Sequence, residues 1–182
     1  MKIACLGWGS LVWNPQDLPV RIPWFNDGPL LPIEFARLSQ GERITLVLVA
    51  DMPCVRSLWA LMSITDLDQA KKELARRERT DIANIGSWPP NSNARHEFDK
   101  VIGEWAIQKN LEAVIWTALS PRFNSNEKRI PSVEEIISFL KGLPYEKRKY
   151  AEEYIRKAPL QINTDYRRKI EVEFNWTPLA NY

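Results

Sequence analysis

The chain has 182 residues, 45% of them hydrophobic and 26% charged, enough for one substantial core and unlike a fibrous or disordered chain. Its 25 Lys and Arg against 23 Asp and Glu leave a net charge of +2, which compels no polyanionic partner. No apolar stretch approaches the roughly 20 residues of a membrane-spanning helix. The opening Met1-Lys2-Ile3-Ala4-Cys5-Leu6 has too short an apolar core for a signal peptide, so a cytoplasmic chain without a membrane partner is expected.

Residues 2–6 predict a buried strand, running into Cys5-Leu6-Gly7-Trp8-Gly9-Ser10-Leu11. A loop with two glycines brings bare backbone close to a ligand, and successive N–H groups there form a concave site for a carboxylate or oxyanion. Residues 14–32 carry five prolines and Asn26-Asp27-Gly28, which predicts a long irregular surface loop. The alternation over 33–39, the turn Gln40-Gly41-Glu42 and the β-branched run Ile44 to Val49 predict an antiparallel hairpin. Val55 to Ile64 predicts another strand. Asp66, with Gln69 three residues on, opens a helix over 66–79. Residues 80–93 predict a loop, 94–110 a helix with Phe98, Val101, Ile102 and Trp105 at helical spacing, and 113–119 a strand. After a loop over 121–131, Ser132 with Glu135 predicts a capped helix that Gly142-Leu143-Pro144 stops. Further helices follow over 145–157 and, capped by Asn163 or Thr164, through about 174. Strands followed by mixed helices, with no linker or repeat, predict one α+β domain over 1–182 with a largely antiparallel sheet.

Several function classes fail on the residues. A dinucleotide fingerprint needs a third glycine where Val12 stands, and no phosphate-binding P-loop is present. Ser10 has no nucleophile-elbow context, and the single histidine, His96, belongs to no triad or zinc set. Cys5 and Cys54 beside apolar runs predict two buried, unpaired thiols. Basic groups such as Lys147-Arg148-Lys149 and Arg167-Arg168-Lys169 alternate with glutamates, the pattern of a solvated helical face rather than a nucleic-acid surface. The eight tryptophans are scattered, which suits core filling and pocket walls.

Glu78 stands out. Leu67, Ala70 and Leu74 mark the inner face of the helix over 66–79, and the next position on that stripe is 78. Arg76, Arg77 and Arg79 are expected to splay to other faces. Two alternatives stand: a buried carboxylate with a partner or a task, its pKa raised, or a frayed helix end in water.

Taken together, Trp8-Gly9-Ser10-Leu11, Leu74-Ala75-Arg76-Arg77-Glu78 and Pro131-Ser132 with Gly142-Leu143-Pro144 resemble, in order and spacing over residues 3–145, the gamma-glutamylcyclotransferase-like family. Trp8 stands where that family has tyrosine, and Glu135 stands where a pocket tyrosine usually follows the serine. The resemblance implies a small, mostly antiparallel β-barrel flanked by helices. It implies cleavage of a gamma-glutamyl amide by the substrate's own amine, releasing 5-oxoproline without metal or organic cofactor. Glu78 would be the general acid and base, and Gly9, Ser10 and Leu11 would bind the substrate. Trp8 and Trp88 are expected as pocket walls, and Glu78 is expected within reach of the space before Gly9 to Leu11. The competing expectation is a non-catalytic small-molecule-binding domain on the same fold.

Overall fold

The structure, a computed structural model, describes residues 1–39, 41–90 and 98–179. Gln40 of the expected turn, the helix start expected at residue 94, and His96 lie outside the described residues. In chain order the elements are β1 (Ile3–Gly7), α1 (Ser10–Trp13), β2 (Val20–Phe25), β3 (Leu30–Leu31), β4 (Ile33–Leu38), β5 (Ile44–Leu48), β6 (Val55–Arg56), β7 (Leu58–Met62), α2 (Leu67–Glu78), β8 (Ile85–Trp88), α3 (Asp99–Gln108), β9 (Ala113–Thr117), β10 (Arg122–Phe123), β11 (Asn126–Glu127), α4 (Val133–Gly142), α5 (Tyr145–Lys157) and α6 (Asp165–Phe174). They fall into two units, each assembled from separated stretches: Met1–Gly7, Asn14–Leu31 and Arg56–Leu119 in the first, Trp8–Trp13, Pro32–Val55 and the chain from Ser120 onward in the second.

The first unit is built on a five-stranded sheet in the order β2-β7-β1-β9-β8. β1 pairs antiparallel with β7 on one side and parallel with β9 on the other. All five of its residues are buried, which is why it reads as an unbroken apolar run rather than an alternating one. α2 and α3 pack on β8 and β9. The Asp66 carboxylate caps α2 by accepting from the Gln69 N–H at 2.7 Å, as the sequence predicts.

The second unit holds a four-stranded sheet in the order β11-β10-β4-β5. The expected hairpin is β4 with β5, antiparallel, with an irregularity between Phe35 and Arg37. Ser132 and Glu135 form the capping box of α4, and Thr164 caps α6. α5 buries Ala151, Tyr154 and Ile155, one stripe at helical spacing.

Four expectations are corrected. No closed barrel forms among the described strands, which divide into sheets of five, four and two, β3 pairing with β6 in the smallest. Closure needs a partner on both sides of every strand. The outer strand β2 is poorly suited to a second one, because Pro23 lacks an N–H and the register is irregular between Arg21 and Phe25. The arrangement is nonetheless mostly antiparallel, each of the two larger sheets having one parallel pair, β1 with β9 and β4 with β10. The proline-rich stretch is not all loop, since it contains β2 and β3. The proline count hides a strand at the sheet edge, where proline is tolerated. Likewise β8 and the short hairpin of β10 and β11 lie in stretches expected to be loops, being only 4, 2 and 2 residues long and too brief to show a period. Finally, both cysteines are free thiols, but Cys54 is exposed, because it follows Pro53 ahead of β6 rather than lying in a strand. No helix among the described residues is long and apolar enough to cross a membrane.

Candidate active site

Glu78 is the last residue of α2. The helix end is closed rather than frayed: Arg79 adopts the left-handed conformation and its N–H bonds back to Ala75 and Arg76, while Thr80 N–H donates to the Ala75 carbonyl at 3.0 Å. α2 buries Ala70, Leu74 and Ala75, and the Glu78 side chain is only 19% exposed. Of its arginine neighbours, Arg77 does not splay away. Its side chain is 8% exposed and its Nη1 donates to Glu78 Oε1 at 2.6 Å. Adjacent residues on a helix do not face each other, but a long guanidinium stem folds back along the surface and reaches the neighbouring carboxylate. Nη2 of the same arginine donates to the Asn14 carbonyl at 2.6 Å.

Burial holds the Glu78 carboxyl above its ordinary range, and the charge and hydrogen bond of Arg77 offset part of that shift. The last turn of a helix also disfavours a negative charge. Cys5 on β1 feels the same surroundings. Its thiol donates to the Leu6 carbonyl at 3.6 Å, and burial first, then the Glu78 charge, push its pKa upward. A carboxyl whose pKa is raised by burial binds a proton more readily than a surface carboxylate, a property that suits a group asked both to take and to return a proton.

The 8–11 segment belongs to the second unit, Glu78 and Trp88 to the first. β1 ends at Gly7, and a single helical turn, absent from the sequence expectation, begins at Ser10; Val12 N–H donates to the Gly9 carbonyl at 3.0 Å. The 8–11 amides therefore lie beyond the β1 ladder, whose register ends at Gly7. Trp8 is buried with its indole N–H on the Leu46 carbonyl at 3.3 Å, and Leu11 is buried as well. Gly9 has a direct steric reason: a Cβ there would lie 2.5 Å from the Tyr154 hydroxyl. That phenol also accepts from Leu46 N–H at 3.5 Å, and its ring meets Trp13 edge-on at 5.4 Å. Trp88 packs its indole over Gly103 of α3, where a Cβ would come within 2.4 Å of Nε1.

Sequence reasoning missed Tyr154. Its signal was the Ala151, Tyr154, Ile155 stripe, which places the phenol on the inner face of α5. Glu135, which stands at a tyrosine position of the resembled family, is spent on the capping box and on Arg129; backbone bonding from Ser132, then Arg129, holds its carboxyl below the usual range. A second buried carboxylate was also missed. Glu34 on β4 is 1% exposed and accepts from the Thr164 hydroxyl at 2.5 Å, from Phe35 N–H at 2.8 Å and from Tyr166 N–H at 3.3 Å. Burial raises its pKa while these three donors lower it.

A groove of about 720 Å³ lies between α4 and α6, lined by Ile137, Ser138 and Val172 and by four paired side chains, Lys141 with Glu173 and Lys169 with Glu134. Its lining includes neither Glu78 nor any of residues 8–11. Among the described residues no three His, Cys, Asp or Glu side chains are grouped as metal ligands.

No family model matches the chain, and no curated protein matches it. Among solved structures it is similar to the crystal structure of a gamma-glutamyl cyclotransferase specific to glutathione, from yeast, with a TM-score of 0.45 and 13% identity over 96% of this chain and 98% of that one. The chemistry of the present chain rests on its own residues.

Proposed function

We propose that the chain is a cytoplasmic cyclotransferase-like enzyme that cleaves a gamma-glutamyl amide and releases 5-oxoproline, with Glu78 as general acid and base. The observation that carries it is the state of Glu78: a carboxyl in the closed last turn of a helix, largely out of water, with raised pKa and one arginine partner. A surface carboxylate has neither the burial nor the raised pKa. The ordered motifs that resemble the gamma-glutamylcyclotransferase-like family support the same function.

The chemistry asks little more of the protein. The substrate's α-amine attacks its own γ-carbonyl carbon, forming the ring C–N bond. Glu78 takes a proton from that nitrogen and delivers it to the leaving nitrogen as the original amide bond breaks. The products are 5-oxoproline and an amine, and the base returns to its starting form. No serine or histidine nucleophile is required, because the nucleophile comes with the substrate. Amides of Gly9, Ser10 and Leu11 are the proposed donors to the substrate, with Trp8 and Trp88 as the proposed aromatic contributors. Tyr154, whose hydroxyl abuts Gly9, joins them as a proposed substrate contact.

The test is release of 5-oxoproline by the wild-type protein from a panel of gamma-glutamyl dipeptides, gamma-glutamyl amines and glutathione, with both products identified by mass. Turnover of at least one member is expected. A protein that binds panel members without converting any is instead a non-catalytic binding domain.

A further inference from the structure

Arg77 is the least exposed charged side chain around Glu78. Its guanidinium makes two short bonds in different directions, 2.6 Å to Glu78 Oε1 and 2.6 Å to the Asn14 carbonyl. One nitrogen therefore fixes the carboxylate while the other ties the end of α2 to the backbone at the head of the proline-rich stretch. The fork geometry matters, because a guanidinium holds two acceptors at a set angle and a lysine ammonium does not. Arg76, by contrast, turns to Glu73 and Asp17 in solvent.

We infer that Arg77 is the positioning residue of this site: it fixes the orientation of the Glu78 carboxylate and keeps that carboxylate available as a base. The kinetic half of this inference rests on the cyclotransferase function proposed above; the half concerning Glu78 itself does not. The surroundings leave Arg77 as the dominant charge. From β1 the Cys5 thiol faces the pair, with its pKa pushed up and hence neutral. β8, β9 and the 82–84 turn, on which α2 packs, carry no charged side chain. Without the guanidinium, burial acts on Glu78 unopposed, and the carboxyl protonates at higher pH.

The experiment has two arms. The first follows the Glu78 side-chain carboxyl by carbon-13 NMR titration in the free protein, assigned against E78Q, in wild type, R77M and R77K. The titration midpoint is expected to rise by about one pH unit or more in R77M, the usual effect of an opposite charge at this range, and to stay near the wild-type value in R77K. R77Q, which keeps a donor but no charge, supplies the same comparison if R77M does not fold. The second arm measures the pH profile of kcat/KM on the best panel substrate. Its acid limb is expected to move upward in R77M by the same amount as the NMR midpoint, with KM little changed. An unchanged midpoint in R77M or R77Q overturns the inference, and so does a shifted midpoint beside an unmoved acid limb. A wild-type protein inactive on the whole panel defeats the proposed function instead, and the NMR arm then decides by itself whether Arg77 governs Glu78.

Discussion

Two carboxylates of this chain are withdrawn from water at opposite kinds of helix end. Glu34 meets the N-terminus of α6, where it accepts from the capping Thr164 hydroxyl and from Tyr166 N–H as well as from its neighbour Phe35. Glu78 closes the C-terminus of α2, where the helix dipole opposes its charge, with Arg77 as its ion-pair partner. Burial raises the pKa of both. Glu34 is thus held by fixed backbone and hydroxyl donors, as a structural brace between β4 and α6. Glu78 is held by a charged side chain, the guanidinium of Arg77. Burial and a raised pKa therefore do not mark a functional carboxyl by themselves; what surrounds the charge separates the two cases.

Breaking the brace should have the largest effect on stability. Glu34→Ala leaves the Thr164 hydroxyl and two backbone N–H groups without their acceptor inside the protein, and should cost about 3 kcal/mol in denaturant unfolding. A loss under about 1 kcal/mol would put Glu34 in the same class as Glu78.

Gly9→Ala comes next. Its Cβ would lie 2.5 Å from the Tyr154 hydroxyl, and such overpacking should cost about 1–3 kcal/mol. Tyr154→Phe removes the clashing oxygen, so the double variant should recover part of that loss. Strict additivity of the two changes would show that Gly9 is not there to accommodate the phenol.

The pH dependence of stability follows from the sign of the two shifts. A carboxyl with raised folded pKa stabilises the fold fully below its unfolded value, ordinarily 4.5, and that contribution is lost as pH rises through the folded value. Each group contributes a slope of at most about 1.4 kcal/mol per pH unit in that window. Chemical unfolding across the mildly acidic range should show stability falling with pH from these two sites, and Glu34→Gln and Glu78→Gln should each flatten the curve. Curves unchanged by both substitutions would refute the shifts.

The smallest effect is expected from Glu78→Gln on stability at neutral pH. The amide oxygen still accepts from the Arg77 guanidinium, which also keeps its bond to the Asn14 carbonyl, so thermal and chemical unfolding should stay within about 1 kcal/mol of wild type. A larger loss would make Glu78 a brace like Glu34.

How much of this was legible in the sequence depended on the length over which each signal repeats. The caps of α2, α4 and α6 and the β4–β5 hairpin were legible because they follow from local chemistry: Asp66, Ser132 with Glu135, Thr164, and a run of alternating or β-branched residues. Glu78 was legible because helical spacing carries the Ala70, Leu74 stripe onto it. β8 and β2 were not, one being 4 residues long and the other broken by Pro23. Arg77 escaped because helical register says where a Cα points and not where a long stem bends. Glu34 escaped because its partners Thr164 and Tyr166 are 130 and 132 residues away. Tyr154 and Gly9, far apart in sequence, meet only through the fold. The closed barrel failed because pairing on both sides of a strand is a property of the whole sheet.

The most direct measurement runs Glu78→Gln and Glu34→Gln side by side for 5-oxoproline release, per mole of folded protein, on the best substrate of the panel. Glu78→Gln should lose about 10²-fold or more in kcat, the scale of general acid–base catalysis, while Glu34→Gln should stay near the wild-type rate despite its weaker fold. Wild-type turnover in Glu78→Gln, or an equal loss in both variants, would contradict the assignment of Glu78 as the base.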